Sequence, residues 1–175
     1  MRRLAPAFAL VVGLVLVMVF ATVSTAAPKF RTFGTGDVTL TKTGARLVNG
    51  SGEYSGIFLR ARGVGAKWVR NVHMSFDYAG DTAGGAPRFS IPLDTNRDNV
   101  VDGYAFLDAV NCGDTGSVST DDPDCKVFLN FSSETFDNWA DLARTHRSWR
   151  VPARSIPFVI ADQPGTYVVR HVDLR

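Results

Sequence analysis

Asp94-Thr95-Asn96-Arg97-Asp98-Asn99-Val100-Val101-Asp102-Gly103 places oxygen-bearing side chains at relative positions 1, 3, 5 and 9. That DxNxDxxxD spacing suits a loop wrapped around Ca2+, with Asp94, Asn96, Asp98 and Asp102 as side-chain ligands and the Val100 carbonyl at position 7. Hard oxygen donors with no neighbouring His or Cys favour calcium over a transition metal. Position 6, where a sharp turn favours Gly, is Asn99, which tolerates left-handed backbone nearly as well. Position 12 is Ala105, so the bidentate carboxylate of an EF-hand is missing. Asp108, Glu53 or an acid from another loop would have to complete the shell. The expected result is a structural site of about 10⁻⁴–10⁻³ M affinity. The alternative is a solvated Asp/Asn-rich hairpin.

A second cluster, Arg144, His146, Arg147, Trp149, Arg150 and Arg154, lies in a stretch with no acidic residue from Leu142 to Arg154. Arginine beside an aromatic ring binds oxyanions by forked hydrogen bonds and stacking, so Arg147, Trp149 and Arg150 are candidate ligand-binding residues. The plainer reading is a helix C-terminus with solvated arginines and a Trp149 packed into the body. Asp114, Asp121, Asp122 and Asp124 match no ligand template and read as solubilising loop residues.

Catalytic signatures are sparse. Glutamate occurs only as Glu53 and Glu134, and no GxSxG, HExxH or phosphate-cradling glycine loop is present. His73, Ser75 and Asp77 share one strand face, but side chains at i and i+2 stand about 6–7 Å apart, too far for a direct Ser–His hydrogen bond. His171 and Asp173 read the same way. No catalytic residue is assigned.

Cys112 and Cys125 are the only cysteines and frame the loop GDTGSVSTDDPD. A disulfide between them is expected, worth about 3 kcal/mol if it acts by restricting the denatured chain. Export agrees with that bond. Arg2 and Arg3, a long apolar run and the small residues Ser24-Thr25-Ala26 read as a signal peptide over 1–26, cut after Ala26, with an uncleaved membrane anchor as the alternative. The chain of 175 residues carries 19 Lys+Arg and 17 Asp+Glu, and removing Arg2 and Arg3 with the leader balances the two at 17 each. A near-neutral mature protein has no global field for nucleic acid, and none is expected as a partner.

The elements that must hold these residues alternate apolar and polar positions with period two, interrupted by Gly, Asn, Asp or Pro. Strands are expected over 37–41, 45–49, 56–61, 68–78, 88–94, 103–110, 126–131, 158–162 and 166–174. In the fourth, Trp68, Val72, Met74, Phe76 and Tyr78 should face the core. Only SSETFDNWADLARTHRS changes period, with Phe136, Trp139, Ala140 and Ala143 at helical spacing, Thr135 or Ser133 as cap, and basic residues in the last turn. These patterns predict an all-β fold over 27–175: one domain, an antiparallel two-sheet sandwich of jelly-roll type with one short helix.

The phrases FSIPLDTNRDNVVDGYAFLDAVNC, WADLARTHRSWRV and FVIADQPGTYVVRHVDL resemble a group of small secreted bacterial β-sandwich proteins. The loop alone is similar to those of dockerins and thrombospondin type 3 repeats. The ending GTYVVRHVDL is similar to the last strand of many jelly-roll carbohydrate-binding modules. The resemblance implies a calcium-bearing jelly roll with a glycan ligand and supplies no catalytic motif. The expectation is a secreted or envelope-associated monomer, non-catalytic, off the membrane after cleavage, and binding a glycan or anionic cell-wall polymer. Trp149, Tyr54, Tyr104 or Tyr167 would serve as sugar-stacking rings if exposed, whereas most other aromatics fall at expected core positions. A secreted hydrolase or lyase with a calcium-assisted site, and a purely structural protein, are the alternatives.

Overall fold

The computed structural model describes residues 30–59 and 66–175. The expected leader and its cleavage site lie outside them. Period-two alternation becomes strand wherever one face is buried. Ala45–Asn49 (β3) buries Ala45, Leu47 and Asn49 while Arg46 faces water, because successive side chains leave a strand on opposite sides. The other strands are β1 (Phe30–Gly34), β2 (Asp37–Leu40), β4 (Ser55–Leu59), β5 (Met74–Gly80), β6 (Arg88–Leu93), β7 (Gly103–Asp108), β8 (Ser117–Ser119), β9 (Val127–Leu129), β10 (Thr135–Phe136), β11 (Phe158–Ala161) and β12 (Gly165–Leu174).

Every pairing is antiparallel. Two sheets result, one in the order β1-β4-β11-β6-β7-β9-β10 and one in the order β2-β3-β12-β5-β8. The inner faces supply the core, where Leu47, Phe76 and Tyr167 of the smaller sheet are fully buried with Ile57, Phe89, Ile91 and Leu107 of the larger. Phe76 meets Phe89 edge-on at 4.7 Å between centroids. This is the expected all-β two-sheet sandwich. No described helix is long and apolar enough to cross a membrane.

The expected strand over 68–78 is shorter. Val69–Asn71 form a single 3₁₀ turn, and β5 begins at Met74. Met74, Phe76 and Tyr78 point inward as expected, but the turn also buries Val69 and leaves Trp68 half-exposed. The helix is shorter as well. Helix α1 spans Trp139–Thr145, and its cap is Asn138, whose side chain accepts the Asp141 N–H at 2.9 Å. Thr135 and Phe136 pair with β9 instead. The Trp139 indole N–H donates to the Val69 carbonyl at 2.8 Å, which fixes α1 over the 3₁₀ turn.

Cys112 and Cys125 are disulfide-bonded. Cys112 follows β7 and Cys125 precedes β9, two neighbours in the larger sheet, while the loop between them carries β8 across to pair with β5 in the smaller one. The bond therefore fastens an excursion from one sheet to the other.

Candidate functional site

The 94–103 loop joins β6 to β7. Leu93 packs inward and carries Asp94 beneath the loop, where its side chain is wholly buried. Its Oδ1 accepts the Arg97 N–H at 2.6 Å, and its Oδ2 accepts the Asn99 N–H at 2.9 Å and the Arg150 Nε–H at 2.8 Å. Arg150 also donates to the Arg97 carbonyl at 2.8 Å. Burial raises the Asp94 pKa, but the Arg150 hydrogen bond, the two N–H groups and the Arg150 charge outweigh it and hold the carboxyl below the ordinary aspartate range.

The other expected ligands turn onto the loop itself. Asn96 Oδ1 accepts the Asp98 N–H, and Asp98 Oδ1 accepts the Val100 N–H. Asp102 Oδ2 accepts both the hydroxyl and the N–H of Thr95, which lower its pKa. Asn99 adopts the left-handed conformation expected of position 6, at φ 68°, and Arg97 does so at φ 73°.

The further carboxylates that calcium would need are elsewhere. Asp108 sits at the far end of β7, ~17 Å along the strand from Gly103, where it accepts the backbone and side-chain N–H groups of Asn111. Glu53 accepts the Gly50 N–H. Among the described residues no three His, Cys, Asp or Glu side chains gather in a way that could hold a metal ion. As arranged, these residues do not fit a resident calcium, because Arg150 stands at the buried carboxylate and the remaining oxygens close the loop's own turns. Arg150 comes from a segment 56 residues away, so the local spacing gave no sign of it.

The basic stretch divides in the same way. Arg150 belongs to Asp94, and Arg144 pairs with Asp141. Trp149 is half-buried, stacked parallel on His146 at 3.6 Å between ring centroids. Of the three expected ligand-binding residues only Arg147 is exposed and without an acidic partner, its Nε–H donating to the Arg144 carbonyl at 3.3 Å.

The acids of the disulfide loop have separate tasks. Asp114 accepts the Tyr78 hydroxyl, Asp121 pairs with His73 at 2.6 Å, and Asp122 accepts the Asp124 N–H. Burial first, then the Asp114 contact, raises the Tyr78 pKa, while the Gly116 backbone contact lowers it in part. His73 thus faces Asp121 and not Ser75, and His171 faces Asp77 at 2.7 Å. Among the described residues each histidine is held by a carboxylate with no serine or cysteine at its other nitrogen, and although His73 and Asp121 line a groove, neither pair presents a nucleophile with its base.

A different feature is assembled by the larger sheet. Ile57, Val159, Phe89 and Leu107 point into the core, so their neighbours along each strand point outward. The ladder aligns those neighbours in one row, Arg31-Phe58-Phe158-Ser90-Phe106-Phe128-Thr135, reaching across all seven strands. The four phenylalanines of this row are only partly buried. Rings from adjacent rows extend it: centroid separations are 6.5 Å for Tyr54–Phe33, 4.5 Å for Phe33–Phe58, 5.6 Å for Phe58–Phe158 and 5.7 Å for Phe158–Tyr104. Phe33 reaches the others by lying over Gly56, where an added Cβ would be 2.4 Å from its ring.

Arg31, Pro92, Tyr104 and Arg154 frame a cavity of about 340 Å³ beside Phe58 and Phe158. Of the rings expected to stack on sugar, Tyr54 is exposed, Tyr104 lies in this strip and Tyr167 is fully buried. Phe58, Phe106, Phe128 and Phe158 were not separable from core positions by alternation, because their strands are apolar on both faces. Aromatics at one parity and aliphatics at the other were the usable signal.

No known protein family, characterised protein or solved structure matches the chain.

Proposed function

We propose that this is an exported, non-catalytic binding domain whose ligand is a glycan held on the outer face of the larger sheet. The aromatic strip carries the reading. Rings linked from Tyr54 to Tyr104 offer apolar faces to the C–H faces of sugar rings, and Arg31 and Arg154 at the rim can donate to hydroxyl oxygens. Export is supported by the order of residues in the leader and by the disulfide, a bond that persists in oxidising compartments. A secreted hydrolase or lyase would need a groove in which Asp102, Asp108 or His73 converges with an open metal position. They have separate partners, in Thr95, Asn111 and Asp121.

Affinity electrophoresis of the purified protein through soluble neutral polysaccharides, backed by a glycan array, tests the reading. Retardation should be lost in Phe158→Ala and weakened in Tyr104→Ala, with thermal melts confirming that both remain folded. A wild-type protein that recognises no glycan, or variants that bind unchanged, would overturn it.

A further inference from the structure

We infer that a second site, independent of the aromatic strip, binds the oxyanions of an acidic glycan through Arg70, Arg97 and Arg147 around Trp68. These residues and Ser148 line a shallow cavity of about 270 Å³. Arg70 and Arg97 hold their guanidinium carbons 5.9 and 5.5 Å from the Trp68 ring centroid. Arg147 is oriented by its Nε–H bond to the Arg144 carbonyl. A guanidinium resting on an indole is kept planar, with its N–H edge available for forked pairing to a carboxylate, sulfate or phosphate.

The three have no counter-charge within salt-bridge distance among the described residues: Asp94 is matched with Arg150, Asp141 with Arg144 and Asp121 with His73. The undescribed stretches 1–29 and 60–65 contain no Asp or Glu, so they cannot supply one. Arg97 is also displayed from left-handed backbone, at φ 73°, where a residue with a Cβ is disfavoured. The loop places a long cation at that position, next to two others.

Arg70 and Arg147 also line the adjoining groove of about 620 Å³, whose walls include Val72, Trp139 and Ala143 together with Asp121, Asp122 and the His73 paired to Asp121. An extended polymer can therefore continue from the arginines onto an apolar floor. That continuity favours a polysaccharide over a lone anion. A nucleic acid is disfavoured, because the sole indole of the cavity already carries guanidinium groups and the near-neutral chain offers few phosphate contacts elsewhere.

The test is affinity chromatography and isothermal titration of the purified protein with polygalacturonate, heparin and poly(glycerol phosphate), with a neutral glucan and single-stranded DNA as comparators. At least one acidic polymer should bind in a salt-dependent manner. The R70Q/R97Q/R147Q variant should bind it at least tenfold more weakly with unchanged melting temperature, and Phe158→Ala should bind it like wild type. The polymer bound most tightly identifies the oxyanion. Neutral glucan held by the sheet face should bind R70Q/R97Q/R147Q as it binds wild type; tighter binding of DNA, an unaffected triple variant, or no binding to any acidic polymer would each overturn the inference. The Phe158→Ala arm separates this result from failure of the sheet-face reading.

Discussion

Replacing Arg150 with Met removes the cation facing Asp94 and keeps much of the side-chain volume. The backbone bridge between the two residues, Asp94 N–H to the Arg150 carbonyl at 2.8 Å and the reverse at 3.1 Å, does not depend on the side chain. What goes is the Nε–H bond to Asp94 and the Arg97 carbonyl contact. Breaking a buried ion pair by removing one member costs about 3–5 kcal/mol. Asp94 keeps two N–H donors, and Arg150 is 23% exposed, so the lower end applies, about 3 kcal/mol. For a domain of this size that is about 6–12 °C in Tm.

Asp94→Asn in the Arg150→Met background removes the stranded charge and should recover part of the loss, so the two substitutions are strongly non-additive. Urea melts of wild type, both single variants and the double variant give the coupling directly. A parallel series in about 5 mM CaCl2, above the range of weak extracellular sites, separates the two accounts of the loop. With Arg150 as the cation at Asp94, calcium leaves the wild-type Tm unchanged. An Arg150→Met loss below about 1 kcal/mol, additive substitutions, or a calcium-dependent rise in wild-type Tm refutes the reasoning.

The same carboxyl sets an acid response. Its folded pKa is depressed, so its stabilisation is complete above the unfolded aspartate value of about 3.9 and disappears as pH falls through the lower folded value. Thermal melts from neutral pH downward should therefore fall more steeply below about pH 4 in wild type than in the Asp94→Asn/Arg150→Met double variant. Gly56→Ala should cost about 2 kcal/mol by overpacking, since the new Cβ would lie 2.4 Å from both the Phe33 ring and the Val159 carbonyl oxygen; urea denaturation measures it. Cys112→Ser/Cys125→Ser should cost about 3 kcal/mol, with hydrogen exchange accelerating most in the β5–β8 pairing around Phe76 and Val118.

Where one face of a strand is apolar and the other polar, the sequence was sufficient: β3 and β6 begin where alternation places them. Trp68–Tyr78 misled because Trp68, Val72 and Met74 keep strand parity across a stretch that makes one 3₁₀ turn, and only the buried Val69 and the Trp139 hydrogen bond betray it. β8 and β10 have three and two residues. They exist because β5 and β9 present unpaired edges, a property of the neighbours and not of SVS or TF. Asn138 displaced Thr135 as the cap for a similar reason, since Thr135 is taken up in pairing with β9.

The candidate sites follow the same division between local and distant information. Spacing records which oxygens a loop carries but not which donors reach them, and here the deciding donor is Arg150, delivered by a segment that bridges both Trp68 and Asp94. That bridge has a consequence for function. It sets Asp94 and Trp68 on either side of one strand-like segment, and the Arg150 side chain also holds the Arg97 carbonyl, so the ion pair that closes the loop helps position two members of the arginine cavity. Arg147, three residues before Arg150, supplies the third guanidinium. If the arrangement is coupled in this way, Arg150→Met should weaken binding of acidic polymers although Arg150 lines no part of that cavity. The loss should be smaller than in R70Q/R97Q/R147Q, because the three guanidinium groups remain and only their placement is relaxed. Heparin elution at lower salt for Arg150→Met, under conditions where the variant is fully folded, is the expected observation; elution identical to wild type would mean that the loop's closure and the cavity are independent.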